Sequence, residues 1–298
     1  MANNKRWLNL LKLIAKIFFS SFFLFLVLRK IQFSDLIDRF NHSNPYWILL
    51  AALFFTLSKW VSAIRLNHFF RNTGLHLSDK DNTRLYWLGM FYNMFLPGGI
   101  GGDGYKIFVL NRKYEIAIKK LFWAVFLDRV SGVVALGILS GVLALLIFKQ
   151  ALVIIFVILF LVVAAVIYYF VYRRYFSEFL PSFGITNWEG MLVQLLQLVC
   201  AACIMKAIGV QDHYLEYLLV FLVSSVVAIF PFTIGGLGAR ELTFYYGALY
   251  FGLSKPIAIT ISFWFYLITL VVSLLGLIYV FSSPFRGSKQ TIVQQEIT

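Results

Sequence analysis

Charged residues are scarce in this chain of 298 residues: 13% are Asp, Glu, Lys or Arg, and 61% are hydrophobic. A soluble domain usually carries about 25% charged residues, so this chain has too little polar surface to cover a globule in water. Cysteine is also scarce, and Cys200 and Cys203 lie in one apolar run. No further Cys or His cluster joins them, so we interpret both as packing residues and predict no metal or other cofactor.

The chain instead contains long apolar runs without charge. Residues 151–172 include no charged residue, and a helix of that length reaches about 33 Å, enough to cross a hydrocarbon core of about 30 Å. The apolar residues are continuous rather than alternating with polar ones, which argues against an outer-membrane β-barrel. The sequence therefore predicts an all-α fold: a polytopic membrane helical bundle in the cytoplasmic (inner) cell membrane.

Six of these runs are long enough to span a bilayer, and three are shorter. The long runs are residues 10–28, 46–66, 121–147, 151–172, 189–209 and 256–282. The shorter runs are residues 85–97, 214–232 and 240–252. The longest polar stretches, residues 67–84 and 106–120, are predicted to be loops too small for a soluble domain. We therefore predict a single integral membrane domain over residues 1–298, with a polar cytoplasmic tail at 283–298.

Lysine and arginine orient the predicted spans, because basic residues collect in cytoplasmic loops. The net charge of +13 is thus interpreted as topological, and we expect no nucleic-acid partner. Placing the N-terminus in the cytoplasm puts 17 of the 26 basic residues inside, Arg65 and Lys106 among them, and five outside. This arrangement requires residues 85–105 and 214–254 to enter the membrane from opposite faces and return without crossing. The first run is expected to be retained, since Lys12 and Lys16 interrupt it and no cleavage signature follows.

The two predicted re-entrant segments contain similar glycine-rich breaks. One reads PGGIGGDGYK from Pro97 to Lys106, and the other reads PFTIGGLGAR from Pro231 to Arg240. Both follow a spanning run of equal length and precede another. The pattern predicts an inverted repeat with two re-entrant broken-helix hairpins, repeat one covering about residues 10–147 and repeat two about 151–282.

The residues of the breaks are suited to binding an anion. Proline ends one half-helix and glycine lets the chain turn, which frees backbone N–H groups at the start of the next half-helix. Those N–H groups attract an anion, and Lys106 or Arg240 adds a full positive charge. Phosphate is the expected ligand, and we expect it between the two breaks, held by both half-helix N-termini together with Lys106 and Arg240. The alternative is a tightly packed re-entrant loop that binds nothing.

Further ionisable residues lie inside the predicted spans. Lys59, Asp128, Arg129 and Lys206 are all in apolar runs, where a charge costs about 2.5–3.5 kcal/mol at a helix centre. We expect them to face the bundle or a cavity. For Asp128, Arg129 and Lys206 the alternative is that the side chain reaches the membrane surface. Glu241 follows Arg240 directly, and one interpretation is that it neutralises that arginine.

Three ordered motifs resemble one family across essentially the whole chain. They are NMFLPGGIGGDGYK from Asn93, LDRVSG from Leu127 and PFTIGGLGARE from Pro231. In these motifs the chain is similar to the lysylphosphatidylglycerol synthase transmembrane region, or flippase-like, family, which implies a helical lipid-flippase type of fold. The resemblance implies the substrate-binding candidates Asn93, Pro97, Gly101, Gly102, Asp103, Lys106, Asp128, Arg129, Gly235, Gly236, Arg240 and Glu241. At Asp128 many relatives are expected to carry Glu, which keeps the charge with a longer reach.

Family members that make aminoacylated lipids carry a separate soluble transferase domain, and no stretch of this chain is able to fold as one. The leading hypothesis is therefore a non-enzymatic transporter that moves a phosphate-bearing lipid between leaflets. That lipid is an anionic or aminoacylated phospholipid, or a polyprenyl-phosphate lipid. One alternative is an intramembrane lipid-modifying enzyme with Asp103 or Asp128 as acid or base. Another is a non-catalytic subunit for envelope lipid biosynthesis. A homo-oligomer or an envelope enzyme is the expected protein partner.

Overall fold

The computed structural model describes residues 40–95, 101–229 and 236–280, together with Phe25. Every regular element in these residues is helical. The α-helices are α1 (Pro45–Asn72), α2 (Asp79–Phe95), α3 (Gly101–Tyr114), α4 (Ile118–Ile147), α5 (Ala151–Tyr175), α6 (Phe183–Ala207), α7 (Tyr214–Val227), α8 (Ala239–Phe251) and α9 (Lys255–Leu274). Two 3-10 helices, Ser177–Ser182 and Leu275–Tyr279, precede α6 and follow α9.

Five helical stretches among the described residues are long and apolar enough to cross a membrane, which confirms the predicted all-α membrane fold. They are Pro45–Asn72, Ile118–Ile147, Ala151–Tyr175, Ser177–Ala207 and Lys255–Tyr279. Each contains most of one predicted run, and the run at 10–28 lies outside the described residues. Local sequence sets several ends: Asn44 accepts a hydrogen bond from the Tyr46 N–H before α1, and Gly252 ends α8 with φ +66°.

The predicted loops at 67–84 and 106–120 are wrong for most of their length. Helix α1 continues to Asn72, α2 begins at Asp79, and α3 occupies Gly101–Tyr114. The helices predicted from the apolar runs are shorter than the observed ones. A helix can continue into polar sequence where its end extends beyond the hydrocarbon layer. As a result Arg65 and Lys106, which the sequence placed in cytoplasmic loops, are buried helical residues.

Helices α1 and α6 share the most extensive helix–helix interface in the described part of the chain, and they run antiparallel. At one end the Asn44 N–H donates to the carbonyl oxygen of Ala207 at 2.9 Å. At the other end Asn72 donates a side-chain hydrogen bond to Ser182. These two helices occupy equivalent positions in the predicted repeat, and antiparallel packing is what an inverted repeat requires.

The remaining contacts follow a two-fold pattern around the α1–α6 pair. Short helices α2 and α3 pack together, as do α7 and α8, so each half contains a helical hairpin. Helix α4 packs on α6 and α7, and α9 with its 3-10 extension packs on α1 and α2 in the equivalent way. This pairing supports the repeat. Its inverted and re-entrant placement in a membrane stays a prediction.

Two apolar clusters flank a polar section in the middle of α1. One cluster includes Phe55, Phe221 and Phe265, and the other includes Phe70 and Tyr172. The polar section between them contains the following α1 residues: Lys59, Ser62 and Arg65. Lys59 is the fifteenth of the 28 residues of α1, so the polar section begins near the middle of a membrane-spanning helix.

Two contacts join the ends of different helices, and each joins residues that are predicted to lie on the same side of the membrane. Lys120 Nζ donates to Glu178 Oε1 at 2.6 Å, and both residues are predicted to be cytoplasmic. The rings of Phe148 and Phe251 lie 6.0 Å apart between centroids, and both are predicted to be external.

Cysteine labelling tests the absolute orientation. In a background with Cys200 and Cys203 replaced by alanine, Lys113→Cys should react with a membrane-impermeant maleimide only after the cytoplasmic face is opened. Lys149→Cys should react in intact cells, because its loop is predicted to be external. Both side chains are exposed, so reactivity reports sidedness. Labelling of Lys113→Cys in intact cells would show that the predicted orientation is wrong.

Candidate functional site

Two adjoining cavities lie at the polar section of α1. The first has a volume of about 250 Å³, and the second of about 170 Å³. The polar residues around the first are Lys59, Ser62, Arg65, Tyr86, Asn93, Asp103, Lys106, Asp128, Arg129, Gln194 and Gln197. The second is lined by Arg129, Gln194 and Gln197 again, and also by Ser225 and Arg240. The first and second cavities therefore share a wall made by α4 and α6.

Asp103 is the centre of a hydrogen-bond network in the first cavity. Lys106 Nζ donates to its Oδ1 at 3.0 Å, and Arg129 Nε donates to its Oδ2 at 2.6 Å. Asp103 lies in α3, outside the five candidate spans. Burial acts to raise the pKa of Asp103, but Lys106 and Arg129 outweigh burial and lower that pKa to about 2. The carboxyl group is therefore ionised, and one charge serves two cations.

Asn93 fixes the start of α3 against the end of α2. Its Oδ1 accepts a hydrogen bond from the Gly102 N–H at 2.8 Å, and its Nδ2 donates to Asp103 Oδ1 at 3.3 Å. One of the free N–H groups at the start of α3 is thus occupied by a side chain. This contact holds Asp103 in position, so Asn93 orients the network from the neighbouring helix.

Asp128 forms an ion pair with Arg65 and does not extend toward the membrane surface. Arg65 Nε donates to Asp128 Oδ1 at 2.7 Å. The alternative that Asp128 and Arg129 extend to the membrane surface is not supported, because each is ion-paired inside the bundle. Gly132 and Gly190 leave space for the Arg65 guanidinium: a Cβ on either would lie 3.6 Å or 3.2 Å from Arg65 Nη1.

The glycines of the breaks pack against protein. A Cβ on Gly102 would lie 1.8 Å from the carbonyl oxygen of Gly89, so Gly102 permits close contact between α3 and α2. Gly236 has φ +85°, and a Cβ there would approach Ala228 and Arg240. At Gly102 and Gly236 the neighbouring atoms in the described residues belong to the protein. These two glycines therefore fit the alternative of a tightly packed loop better than contact with a ligand.

Arg240 and Glu241 do not form an ion pair with each other among the described residues. Glu241 Oε2 accepts from the Gly238 N–H at 2.6 Å, and its Oε1 accepts from Ser262 Oγ at 2.8 Å. Glu241 therefore caps the start of α8, and its charge acts on Arg240 without a direct ion pair between the two side chains. Arg240 Nη1 lies 3.3 Å from the hydroxyl oxygens of Ser224 and Ser225.

The structure brings together Asn93, Gly102, Asp103, Lys106, Asp128 and Arg129 around the first cavity. Gly101 begins α3 beside them. Arg240 lines the second cavity, so Lys106 and Arg240 do not share one cavity as the sequence suggested. Gly236 and Glu241 pack near Arg240 in the second half. Pro97 and Gly235 lie outside the described residues.

Sequence reasoning missed five polar residues of the first cavity: Ser62, Arg65, Tyr86, Gln194 and Gln197. It noted Lys59 as a buried charge without assigning it to the site. A signal was present, because Lys59, Ser62, Arg65 and His68 follow one another every three residues, so that each lies beside the next and the polar row winds around α1. His68 Nδ1 lies 3.0 Å from Glu189 Oε2 on α6, so this polar row meets α6.

Positive charge exceeds negative charge around the two cavities. Five cationic side chains line them: Lys59, Arg65, Lys106, Arg129 and Arg240. Two carboxylates do so, Asp103 and Asp128. The lining cations therefore exceed the lining carboxylates by three, in a site whose charged residues are buried or half-buried among helices, where an unpaired charge is costly. Such a site favours a bound anion.

The fold and this site define a multi-pass membrane protein with a buried cationic centre. The chain belongs to the lysylphosphatidylglycerol synthase TM region family, whose profile matches residues 13–276. This confirms the resemblance seen in the three motifs, and no soluble domain is indicated. Comparison with curated proteins finds no match. Family membership indicates a role related to membrane lipids.

Proposed function

We propose that this protein moves a phosphate-bearing lipid between the leaflets of the membrane. The carrying observation is the excess of positive charge around the two cavities at the centre of the helical bundle. A lipid phosphate offsets that charge, and its acyl chains remain in the surrounding bilayer. The two cavities, of about 250 and 170 Å³, are smaller than typical pockets for whole drug-sized ligands, which measure about 300–1,000 Å³. They therefore suit a lipid headgroup rather than a whole lipid.

The shared wall of the two cavities supports movement rather than simple binding. Arg129, Gln194 and Gln197 line both, so a headgroup passing from one to the other keeps polar contacts throughout. Most residues of the first cavity belong to the predicted repeat one. Arg240, which lines the second cavity, belongs to the predicted repeat two. A headgroup that moves between them moves between the two halves of the predicted inverted repeat.

The enzyme alternative has less support from the site. Its candidate acid or base residues are Asp103 and Asp128, and each is ion-paired with at least one cationic side chain. A general acid or base works best with a pKa near the operating pH, whereas the pKa of Asp103 is about 2. These carboxylates act as partners that hold cations in place.

A transport assay with the full chain tests the proposal. Purified protein in vesicles should speed the movement of a fluorescent phosphatidylglycerol between leaflets, measured by dithionite quenching. Arg129→Gln should slow it about tenfold or more, because one charge-assisted hydrogen bond to the lipid is worth about 1.5–3 kcal/mol. The matched control is Arg174→Gln at the exposed end of α5, which should behave as wild type.

Two outcomes would contradict the proposal. Wild-type vesicles that move the lipid no faster than protein-free vesicles would exclude transport by this chain alone and favour the subunit alternative. Chemical change of the lipid headgroup during the assay, detected by mass spectrometry, would favour the enzyme.

A further inference from the structure

Two of the five cations around the cavities differ from the other three. Arg65 is paired with Asp128, and Lys106 and Arg129 share Asp103. Lys59 and Arg240 form no direct ion pair with a carboxylate in the part of the chain that the structure describes. They come from different helical units, α1 and α8.

Aromatic rings hold these two cations in place of carboxylates. Lys59 Nζ lies 4.6 Å from the ring centroid of Phe55, and Arg240 Cζ lies 4.8 Å from that of Phe265. The two rings meet edge to face with centroids 5.4 Å apart. Lys59 and Arg240 are therefore attached to one aromatic cluster formed by α1 and α9. A ring face offsets only part of a buried positive charge.

The two cations also repel each other. Their like charges are brought near each other by the contact between the Phe55 and Phe265 rings that hold them. Lys59 opens into the first cavity and Arg240 into the second. Repulsion between two half-buried like charges is relieved most directly by an anion that contacts both. The arrangement of Lys59 and Arg240 therefore favours the binding of an anion between the two cavities.

We propose that Lys59 and Arg240 together bind the phosphate of a lipid phosphomonoester, a headgroup with two negative charges. This inference rests on the proposed function and names its substrate class. A phosphate monoester carries a charge of about −1.5 to −2 at neutral pH, whereas a phosphate diester carries a single charge. With three excess positive charges around the cavities, the monoester neutralises two and the diester one. The sequence had paired Arg240 with Lys106, which is already occupied by Asp103.

The test compares two lipids that differ by one methyl group and one charge. Dioleoyl phosphatidate and dioleoyl phosphatidylmethanol are titrated at pH 8 against the purified full chain in nanodiscs of neutral lipid. We expect wild type to bind phosphatidate about tenfold tighter or more, the value of one additional charge-assisted contact. Lys59→Met and Arg240→Gln should each bind the two lipids about equally, whereas Lys59→Arg and Arg240→Lys should keep the preference.

Lys206→Met is the matched control. Lys206 Nζ also lies over an aromatic ring, 4.9 Å from the centroid of Trp47, but Lys206 does not line either cavity. This variant should keep the preference for phosphatidate. Melting temperatures identify any variant that fails to fold, and Lys59→Met decides the matter alone if Arg240→Gln does not fold. Equal binding of both lipids by wild type, or a preference that survives the double variant, would overturn the inference.

The same preparations separate this inference from the proposed function. If wild type binds phosphatidylmethanol as tightly as phosphatidate and vesicles still move either lipid, the dianion site is wrong and lipid transport stands. If phosphatidate binds with the expected preference but is not moved, the site stands and transport is wrong.

Discussion

Gly102→Ala should prevent the first helical hairpin from packing. The added Cβ would lie 1.8 Å from the carbonyl oxygen of Gly89 and 2.6 Å from its carbonyl carbon. Those are backbone atoms, which do not rotate away as a side chain does. Overpacking usually costs 1–3 kcal/mol, and for a backbone clash this severe we expect at least about 3 kcal/mol.

Gly104→Ala is the control for this prediction. It changes the same helix two residues later, where an added Cβ meets no atom within 4 Å. Thermal unfolding in detergent, with the yield of monodisperse protein, should show a large loss for Gly102→Ala and wild-type behaviour for Gly104→Ala. Equal stability of the two variants would mean that α2 and α3 do not pack as closely as described.

Gly89→Ala gives a different expected result at the same contact. Its Cβ would lie 2.2 Å from Lys106 Cε, the flexible end of a side chain. Lys106 is able to move, and it would then leave Asp103 Oδ1. We therefore expect a smaller loss of stability than for Gly102→Ala and a loss of lipid transport at normal protein yield.

Asp128→Ala should be the most damaging change to a charged residue of the site. It would leave the Arg65 guanidinium buried beside Gly132 and Gly190 without the carboxylate that binds its Nε at 2.7 Å. Removing one partner of a buried ion pair typically costs about 3–5 kcal/mol, because the other charge stays buried and uncompensated. The measurement is the melting temperature in detergent.

A double variant distinguishes the buried charge from lost packing. Arg65→Met combined with Asp128→Leu removes both charges and keeps apolar volume, and such replacements are often neutral or stabilising. The double variant should therefore be far more stable than Asp128→Ala. If it is equally unstable, the cause is packing around α4 and not an unpaired charge.

The sequence by itself determined the class of protein and most of its helices. Run length and the absence of charge indicate membrane spans, because the bilayer sets a minimum apolar length. The motifs around Asp103, Asp128 and Arg240 identified the family and contain residues that line the two cavities. Helix ends were less accurate, as at α1, since hydropathy marks the edge of the hydrocarbon layer and not the last helical hydrogen bond.

Only the tertiary structure decided which charges are paired. Arg65 lies 63 residues from Asp128, and Arg129 lies 26 residues from Asp103, and no local pattern links such partners. The same is true of the close contact between Gly102 and Gly89, since the sequence suggested Gly102 only as a substrate-binding candidate. Lys59 and Arg240 form no direct ion pair with a carboxylate among the described residues, and this follows from how α1, α8 and α9 pack. Pairing in a buried site depends on distances across helices, and these are fixed when the bundle assembles.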